Sequence, residues 1–464
     1  DAAAAAVYGA RAANGVILIT TKRGKQGKAT VSYSFRIGTE RPTRMPKPLN
    51  SWEWATLYNE AQTNDARLAD GSIPASFKPL YSASDIQKFR DGSDPDHFAN
   101  TNWIKEVMKP SAEEQQHNLS VSGGNNGVRY FISLGHTNQG GFVDNYSFKR
   151  YNLRSNIDAD INKTLRVAVD VASTYAETSS PPTYSYTVFG DMMKASPVYP
   201  NRLQSDPSKF GVVVGANDRF NPYLKTTQGG YNLRKNTALF STLSAVQQLP
   251  FVPGLSLKGL LSFNKTFSFD KSWAKTHALF SDDGLYYKDN TFSGAYLSEN
   301  TPQFQSLTTE MHVNYSRNFG KHDISGLLLF TQSKDYNRYT RASRQEFLST
   351  AIDEIFAGEP NGQNLQGEFL QSARRGWVGR VNYAFDNKYL LEANFRYDGS
   401  SNFPTNSRWG FFPSFAAGWN ISEEAFIKNN PALSFIDNLK VRASWGQLGN
   451  DRISTSFAYL DQFE

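Results

Sequence analysis

The chain has 464 residues, of which 14% are aromatic, 49 are basic, 43 are acidic and none is cysteine. Without cysteine, a disulfide scaffold, a thiolate metal site and a thiol nucleophile are excluded. The net charge of +6 is scattered without a basic run, which argues against nucleic acid as a partner. No run of about 18 apolar residues predicts a membrane-spanning helix, but a transmembrane barrel needs only alternating strands.

The chain opens with DAAAAAVYGARAANGVILITTKRGK, which is neither a signal peptide nor a phosphate-binding loop. A signal peptide has its basic residues before its apolar stretch, whereas Lys22, Arg23 and Lys25 follow it here. A phosphate-binding loop that used Gly27 and Lys28 would need a hydroxyl residue where Ala29 stands. What remains is an alanine-rich helical end, a glycine-rich turn and the strand GVILITTK, which together look like the closing element of a small α/β unit.

Beyond Lys28, apolar and polar residues alternate in about thirteen segments, most of them near the ten residues or so that a tilted membrane strand needs. In KYLLEANFRYDGS, for example, Leu391 and Phe395 share one face while Glu392 and Arg396 share the other. The other clear cases are KATVSYSFRIG, RYNLRSNIDAD, TLRVAVDVA, RWGFFPSFAAGWNI and LKVRASWG. This periodicity predicts strands with one apolar and one polar face.

The predicted connections are of two kinds. Short ones lie near 123–127, 158–163, 249–254, 317–322 and 386–388. Long ones lie near 39–114, 178–236, 269–303 and 334–372, with 138–148 and 399–407 as shorter members of the same set. SWEWATLYNEAQ, at 51–62, is predicted to be a helix within the first long connection. Short turns on one side and long loops on the other are typical of an outer-membrane barrel.

The charged residues of the strands indicate which face meets lipid. A basic side chain that faces lipid near the bilayer centre costs about 2 to 4 kcal/mol, so the charged faces are predicted to line a lumen. The residues concerned are Arg154, Arg166, Arg380, Glu392, Arg396, Lys440 and Arg442. A lumen with so many charges holds water, a plug or both.

Three stretches resemble one known family. AAAAAVYGARAANGVILITTKRGK resembles the end of the plug domain in SusC/RagA-type TonB-dependent outer-membrane transporters. GRVNYAFDNKYLLEANFRYDGSSNFPTNSRWGFFPSFAAGWNISEE resembles the barrel signature of these proteins, and KVRASWGQLGND resembles the strand and turn that follow. The matches occur in the family's order and span the chain from Ala2 to Asp451.

The resemblance implies an all-β, transmembrane antiparallel barrel of 22 strands, closed inside by an α/β plug. On this reading, residues 1–24 are the C-terminal end of the plug, and residues 25–464 are the first part of the barrel, with about thirteen strands. By this resemblance, most of the plug, with its TonB-binding segment, and about nine strands after Glu464 are expected to be missing. An open sheet in lipid would leave backbone groups unpaired, so these residues are expected to be part of a larger functional unit.

The implied function is active import of a glycan or an oligopeptide across the Gram-negative outer membrane. The implied partners are a SusD-like surface lipoprotein that caps the loops, the TonB complex that pulls the plug, and outer-membrane lipid. A passive porin or a surface adhesin on a similar barrel is the alternative, and GVILITTK argues against an open pore. A soluble glycan-binding β-protein is a third reading, which the aromatic pattern disfavours.

No enzyme, cofactor or metal site is predicted. The six histidines lack a metal-ligand spacing, and Ser268 with Lys271 satisfies S-x-x-K without the partner motifs of a hydrolase. One set of aromatics falls on lipid-facing strand positions and is predicted to form interfacial girdles: Trp409, Trp419, Trp445, Tyr383 and Tyr397. A second set falls in long connections and comprises the candidate ligand contacts: Tyr184, Tyr186, Phe189, Trp273, Tyr286 and Tyr287.

Four lumen-facing charges are candidate contacts between barrel and plug: Arg380, Glu392, Arg396 and Asp398. Ion pairs between them and the plug would seat it in the barrel. A second possibility is that the same pairs form a latch that loosens when the plug is pulled, since buried pairs hold a state in place without adding much net stability.

Overall fold

The computed structural model describes residues 20–183, 185–215, 218–288, 294–451 and 453. The strands before residue 230 are β1 (Gly27–Glu40), β2 (Ala112–Gly124), β3 (Val128–Gly140), β4 (Ser147–Asp160), β5 (Leu165–Ser180), β6 (Val213–Val214) and β7 (Arg219–Phe220). The strands that follow are β8 (Gly230–Gln248), β9 (Leu255–Ala274), β10 (Ala278–Phe280), β11 (Tyr286–Lys288), β12 (Tyr296–Asn300), β13 (Gln303–Phe319), β14 (His322–Gln345), β15 (Asn364–Phe385), β16 (Tyr389–Ser400), β17 (Trp409–Asn420) and β18 (Lys440–Gly446).

The α-helices are short and lie in the connections. They are α1 (Ser51–Asp65), α2 (Ala83–Asp91), α3 (Trp103–Val107), α4 (Ser185–Lys194), α5 (Pro222–Thr227) and α6 (Ala425–Lys428). The predicted helix at 51–62 is confirmed as α1. None of the helices in the described residues is long and apolar enough to cross a membrane.

One 14-stranded sheet dominates the structure, in the order β1-β2-β3-β4-β5-β8-β9-β12-β14-β15-β16-β17-β18, with β13 also pairing with β9 and β14. Strands β12 and β13 both lie between β9 and β14 and together fill one strand position of the sheet, interrupted at Thr301 and Pro302. The described part of the chain therefore has thirteen strand positions, which agrees with the predicted count. The strands of this sheet follow one another in chain order and are antiparallel, with β6–β7 and β10–β11 forming separate small sheets in the connections. The large sheet is therefore an up-and-down meander, as in an up-and-down β-barrel.

The sheet has one apolar and one polar face, as the period-two pattern predicts. On the apolar face, Leu391 and Phe411 are 55% and 57% exposed. On the polar face, Ser414 and Asn394 are 0% and 4% exposed. The lipid-facing girdle residues of the sequence prediction share the apolar face, and Tyr397 stacks on Trp409 across β16 and β17 with ring centroids 4.9 Å apart.

The connections alternate in length from one edge of the sheet to the other. At one edge the turns are 125–127, 161–164, 249–254, 320–321 and 386–388. At the opposite edge are 41–111, 141–146, 181–229, 275–295, 346–363 and 401–408. The turn between β15 and β16 illustrates how a short connection is formed. Asp386 and Asn387 have φ angles of 51° and 55°. Two consecutive residues with positive φ match the twist of a tight hairpin.

One connection departs from the predicted asymmetry. Residues 421–439 join β17 to β18 at the edge of the short turns, yet they include α6 and further helical turns. Glu424 fixes this segment to the neighbouring hairpin, because its carboxylate accepts hydrogen bonds from Lys388 Nζ at 3.2 Å and from the Tyr389 hydroxyl at 2.7 Å. The length pattern in the sequence did not reveal this packed segment.

Three long connections, 41–111, 181–229 and 275–295, pack on one another, and we call them the loop assembly. A first buried cluster joins Trp103 to Val188 and Phe220. The other two clusters comprise Phe210, Val212, Leu224 and Leu279, and Ala55, Phe89 and Val198. Each cluster draws on at least two of the connections, so the described residues of these loops form an ordered body with its own apolar core.

Candidate functional site on the polar face of the sheet

The segment that precedes β1 lies against the polar face of the sheet. Arg23 places its guanidinium between two carboxylates, with Nη1 3.0 Å from Asp158 Oδ1 and Nη2 2.6 Å from Asp170 Oδ2. Asp158 is on β4 and Asp170 on β5. Alternation along these two antiparallel strands brings both carboxylates to the same face, and so creates a site for one cation.

Asn156 holds the backbone of the same segment. Its side chain is almost completely buried, and its Nδ2 donates to the carbonyl oxygen of Lys22 at 2.6 Å and to Thr21 Oγ1 at 3.2 Å. Gly24 then passes so close to β3 that an added Cβ would lie 2.4 Å from the backbone nitrogen of Tyr130. These contacts, together with the Arg23 ion pairs, define a junction that seats residues 21–24 on the polar face.

The junction depends on several weak contacts rather than on one strong one. The Arg23 side chain is 41% exposed, and a partly exposed ion pair is worth about 1 kcal/mol or less. A hydrogen bond from a buried amide adds about 1 kcal/mol, and the close approach at Gly24 accepts no larger residue without a backbone shift. The path of the chain into β1 is therefore specified by shape and by polar pairing together.

Asn156, Asp158 and Asp170 were not predicted from the sequence as functional residues. Their signal was present, because all three belong to the polar faces of β4 and β5, and Asn156 is paired directly with Asp170. The missing information was the path of residues 21–24, which the strand periodicity does not contain.

The four charges predicted as contacts between barrel and plug lie on the polar faces of β15 and β16. Arg396 and Asp398 pair with each other, with Arg396 Nε 2.7 Å from Asp398 Oδ2 and Nη2 2.9 Å from Oδ1. Glu392 accepts a hydrogen bond from Asn394 at 2.7 Å, and Arg380 is the pairing partner of Asn394. Contacts with residues 1–19 lie outside the described residues, so the role of these four charges stays a prediction.

A second polar network lies beside Arg396 and Asp398. Arg374 contacts Asp451 through Nε and Asp335 through Nη1, the latter at 3.3 Å. Ser400 donates to Asp451 at 2.9 Å. Arg374, Ser400 and Asp451 line a cavity of about 520 Å³ together with Arg396 and Asp398. Asp451 ends the stretch KVRASWGQLGND, but its spacing from β18 did not indicate that it returns to the polar face.

The candidate ligand-binding aromatics are dispersed over the loop assembly and its neighbourhood. Tyr186 and Phe189 lie on α4 and are 72% and 42% exposed. Tyr286 is 63% exposed on β11, while Tyr287 packs against the cluster of Phe210 and Leu224. Tyr184 lies outside the described residues. A ligand role for these residues stays a prediction.

The prediction that Trp273 lies in a loop is wrong. It lies on β9, which continues to Ala274, and its side chain is 1% exposed. Phe347 covers the indole edge-on, with ring centroids 4.6 Å apart, and Leu297 completes the cluster. Trp273 therefore packs the upper part of the sheet in this structure, and its ring offers no open face to a ligand.

Comparisons with known proteins agree with this architecture. The chain is 28% identical to TonB-dependent receptor P3 of Formosa agariphila over 98% of the chain and 42% of that relative. It is 26% identical to TonB-dependent receptor SusC of Bacteroides thetaiotaomicron over 99% of the chain and 43% of that protein. The chain thus spans about two fifths of the length of these curated relatives. No protein-family model matches the chain.

Among solved structures, the RagAB peptide importer in its closed-closed state has the same fold, with a TM-score of 0.74 at 20% identity. The likeness covers 97% of this chain and 50% of that one. The sheet, its two faces and these relatives define an outer-membrane β-barrel, in which the apolar face meets lipid and the polar face lines the interior. More particularly, the chain is similar to TonB-dependent receptors of the SusC/RagA type, as the sequence motifs indicated.

Proposed function

We propose that the protein to which this chain belongs imports a glycan or an oligopeptide actively across the outer membrane, using energy delivered by TonB. The observation that carries the proposal is the junction at Arg23, which seats the chain before β1 on the interior face. An open pore has no need of a segment fixed there. A gated transporter does, because its plug must be attached inside the barrel.

On this proposal, residues 1–24 are the end of a plug domain and residues 25–464 belong to the barrel. β1 begins at Gly27, two residues beyond the proposed start of the barrel domain. The junction would be the seat of the plug, and Arg380, Glu392, Arg396 and Asp398 would contact the plug deeper in the lumen. Partly exposed pairs suit such a seat, since they position the plug without making its release prohibitively unfavourable.

The partner and the ligand class rest on the relatives and on the loop assembly. The structure with the same fold is a peptide importer, and the loop assembly exposes aromatic side chains that stack equally well on sugar rings and on peptide side chains. We therefore retain both ligand classes. A SusD-like surface lipoprotein is the partner proposed to cap these loops.

Uptake of labelled oligosaccharides and oligopeptides tests the transport proposal. Cells that carry the full-length protein should accumulate one of the two classes, and deletion of TonB should abolish accumulation. Uptake that is unchanged without TonB would refute active transport and favour a passive porin.

Conductance of the full-length protein in liposomes tests whether the junction holds the plug in the barrel. The unaltered protein should be silent, whereas Asp158→Asn combined with Asp170→Asn should produce intermittent leak. Arg166→Gln is the matched control, because Arg166 pairs with Asp160 on the same face at 2.6 Å and, among the described residues, makes no hydrogen bond or ion pair with the junction. A steady large pore in the unaltered protein, or equal leak in the control, would contradict the proposal.

A further inference from the structure

A row of basic residues crosses the lipid-facing side of the sheet from β4 to β15. Its members, which we call the basic belt, are Lys149, Lys235, Lys265, Lys334 and Arg375. The strand positions place them on the apolar face. Lys265 shares its face of β9 with Phe263 and Phe267, and Arg375 shares its face of β15 with Trp377. Basic side chains on a lipid-facing surface require an explanation, because the bilayer interior does not tolerate them.

The height of the basic belt gives the first part of that explanation. Each member lies ten to thirteen residues from the short-turn end of its strand. At a rise of about 3.4 Å per residue and a tilt of about 40°, that distance is about 26 to 34 Å along the membrane normal. The hydrocarbon core is about 30 Å thick, so the basic belt lies at the opposite interface, beside the long extracellular connections.

The strand pairing shows that the basic belt is level. From Arg375, pairing leads back through Gln332, Thr309, Leu261, Leu243 and Val169 to Ile157, which is eight residues from Lys149. Eight residues of about 3.4 Å across six strand intervals of about 4.8 Å correspond to a slope of about 43°. Barrel strands tilt by about 35 to 45°, so the row runs parallel to the membrane plane.

The basic belt carries more positive charge than its acidic neighbours balance within the described part of the chain. Arg375 donates to the Gln332 amide oxygen at 3.0 Å, and Lys334 lies 5.1 Å from the ring centre of Tyr336, but no ion pair to a described residue involves any of the five. Glu177 lies in the same row, directly opposite Lys149 on one neighbouring strand and Lys235 on the other, and accepts from the Tyr175 hydroxyl at 3.1 Å. The residues paired directly with Lys265, Lys334 and Arg375 carry no charge. On β2, Glu113 occupies the apolar face near this height, so the basic character begins only at β4.

The interior face differs in this respect. Arg23, Arg166 and Arg396 all pair with carboxylates there. The sequence therefore supplies acidic partners for these three interior cations and leaves Lys265, Lys334 and Arg375 of the basic belt to an external partner. At the extracellular interface of a membrane, that partner is the lipid headgroup.

We propose that the basic belt binds anionic, phosphate-bearing lipid headgroups of the extracellular leaflet. The lysines and Arg375 extend from the apolar band into the headgroup layer and contact phosphate oxygens with charge-assisted hydrogen bonds. The inference depends on the membrane location of the barrel and is independent of what the protein transports.

The test uses the full-length protein in nanodiscs of phosphatidylcholine that contain either lipid A with both phosphates or lipid A from which the phosphates have been removed. Bound lipid A is measured by native mass spectrometry after extraction. The triple variant Lys265→Gln, Lys334→Gln, Arg375→Gln should retain phosphorylated lipid A roughly a hundredfold less well, since each basic residue near a membrane surface contributes about 1 kcal/mol. Dephosphorylated lipid A should be retained weakly by both proteins.

The matched control is Lys47→Gln, Lys78→Gln, Lys105→Gln, which removes the same charge from exposed loop positions and should bind as the unaltered protein does. If the triple variant does not fold, each single variant should weaken binding about fivefold. Equal loss in the control, binding independent of the phosphates, or equally strong binding of free inorganic phosphate would each overturn the proposal.

Discussion

The loop assembly and the barrel sheet place the same residue types in opposite surroundings. In the loop assembly, Trp103 and Phe220 belong to one buried cluster and are 2% and 1% exposed. In the sheet, Phe415 and Trp445 stack across neighbouring strands, yet no other part of the protein covers them and they are 52% and 56% exposed. In the membrane this surface is in contact with lipid. The loops fold by removing apolar surface from water, whereas the strands are held by paired backbone groups in a medium without water.

The largest expected difference between the two regions comes from removing one aromatic ring. Phe220→Ala should lower the free energy of unfolding of the loop assembly by about 3 to 5 kcal/mol, because it leaves a cavity in a packed core. Phe415→Ala should leave the loop assembly unchanged, since its ring faces lipid. Protease cleavage between residues 181 and 229 of the folded, membrane-inserted protein measures the opening of the loops. Equal cleavage in the two variants would contradict the proposed distinction.

A buried ion pair gives a second test of the loop assembly. Lys225 Nζ lies 2.7 Å from Asp191 Oδ2, and both residues are buried. Asp191→Leu should destabilise the loop assembly by about 3 kcal/mol, because it leaves the Lys225 ammonium without its acceptor. Adding Lys225→Met should restore most of the loss, since an apolar pair needs no charge compensation.

Lys194→Met is the control for this pair. Lys194 approaches the same carboxylate at 3.4 Å from an exposed position, so its removal should change the stability by less than about 1 kcal/mol. The same cleavage assay compares the three variants. If the double variant is no more stable than Asp191→Leu alone, the pair is not the source of the effect.

These two regions also differ in how far the sequence predicts them. The strands and their faces follow from the period of two, because lipid on one side and water on the other impose that period on residues such as Leu391 and Glu392. The loop cores follow from contacts between distant residues, such as Trp103 and Phe220, which no local pattern records. Trp273 was misplaced for a related reason, since β9 extends above the membrane, where the alternation between lipid and water no longer applies.

For the candidate site, the sequence predicts which face of the sheet a residue lies on but not which residues it contacts. The sequence pattern correctly assigned Arg396 and Asp398 to the polar face, but it does not indicate that they pair with each other. The junction was missed altogether, because Arg23 meets Asp158 and Asp170 on β4 and β5 before the chain passes β3 at Gly24 to reach β1. Charge alternation identifies which residues face the interior, and only the path of the chain identifies which of them meet.

A third test concerns the polar face of the sheet, where hydrogen bonds from Asn156, and not apolar packing, hold residues 21–24. Asn156→Ala should release residues 21–24 by about 1 to 2 kcal/mol, because the carbonyl of Lys22 loses a buried donor. Hydrogen exchange of the amides in this segment measures the release. Asn152→Ala is the control, since Asn152 accepts from Thr174 at 3.2 Å on the same face and makes no hydrogen bond with the described residues 21–24. Similar exchange in both variants would show that Asn156 does not hold the segment.

The smallest expected effect concerns a charge pair in the water-exposed part of the loop assembly. Asp94 accepts a hydrogen bond from His97 and raises the pKa of that imidazole above its ordinary value of 6.5. A raised histidine pKa means that the pair stabilises its loop fully below pH 6.5 and that the stabilisation is lost as the pH rises through the higher value. Because both groups are exposed, the pH should change protease cleavage of the loop only slightly.

Exchange of the imidazole C2 hydrogen, followed by mass spectrometry, measures this pKa directly in the intact protein. Asp94→Asn should return the pKa of His97 towards 6.5, whereas Asp70→Asn, which removes a carboxylate that contacts Ser72 in the same connection, should leave it unchanged. An unchanged pKa in Asp94→Asn would mean that the contact does not persist in solution. The loop would then be held at this position by its buried aromatic cluster, in which Phe98 packs on Phe89, and not by charge.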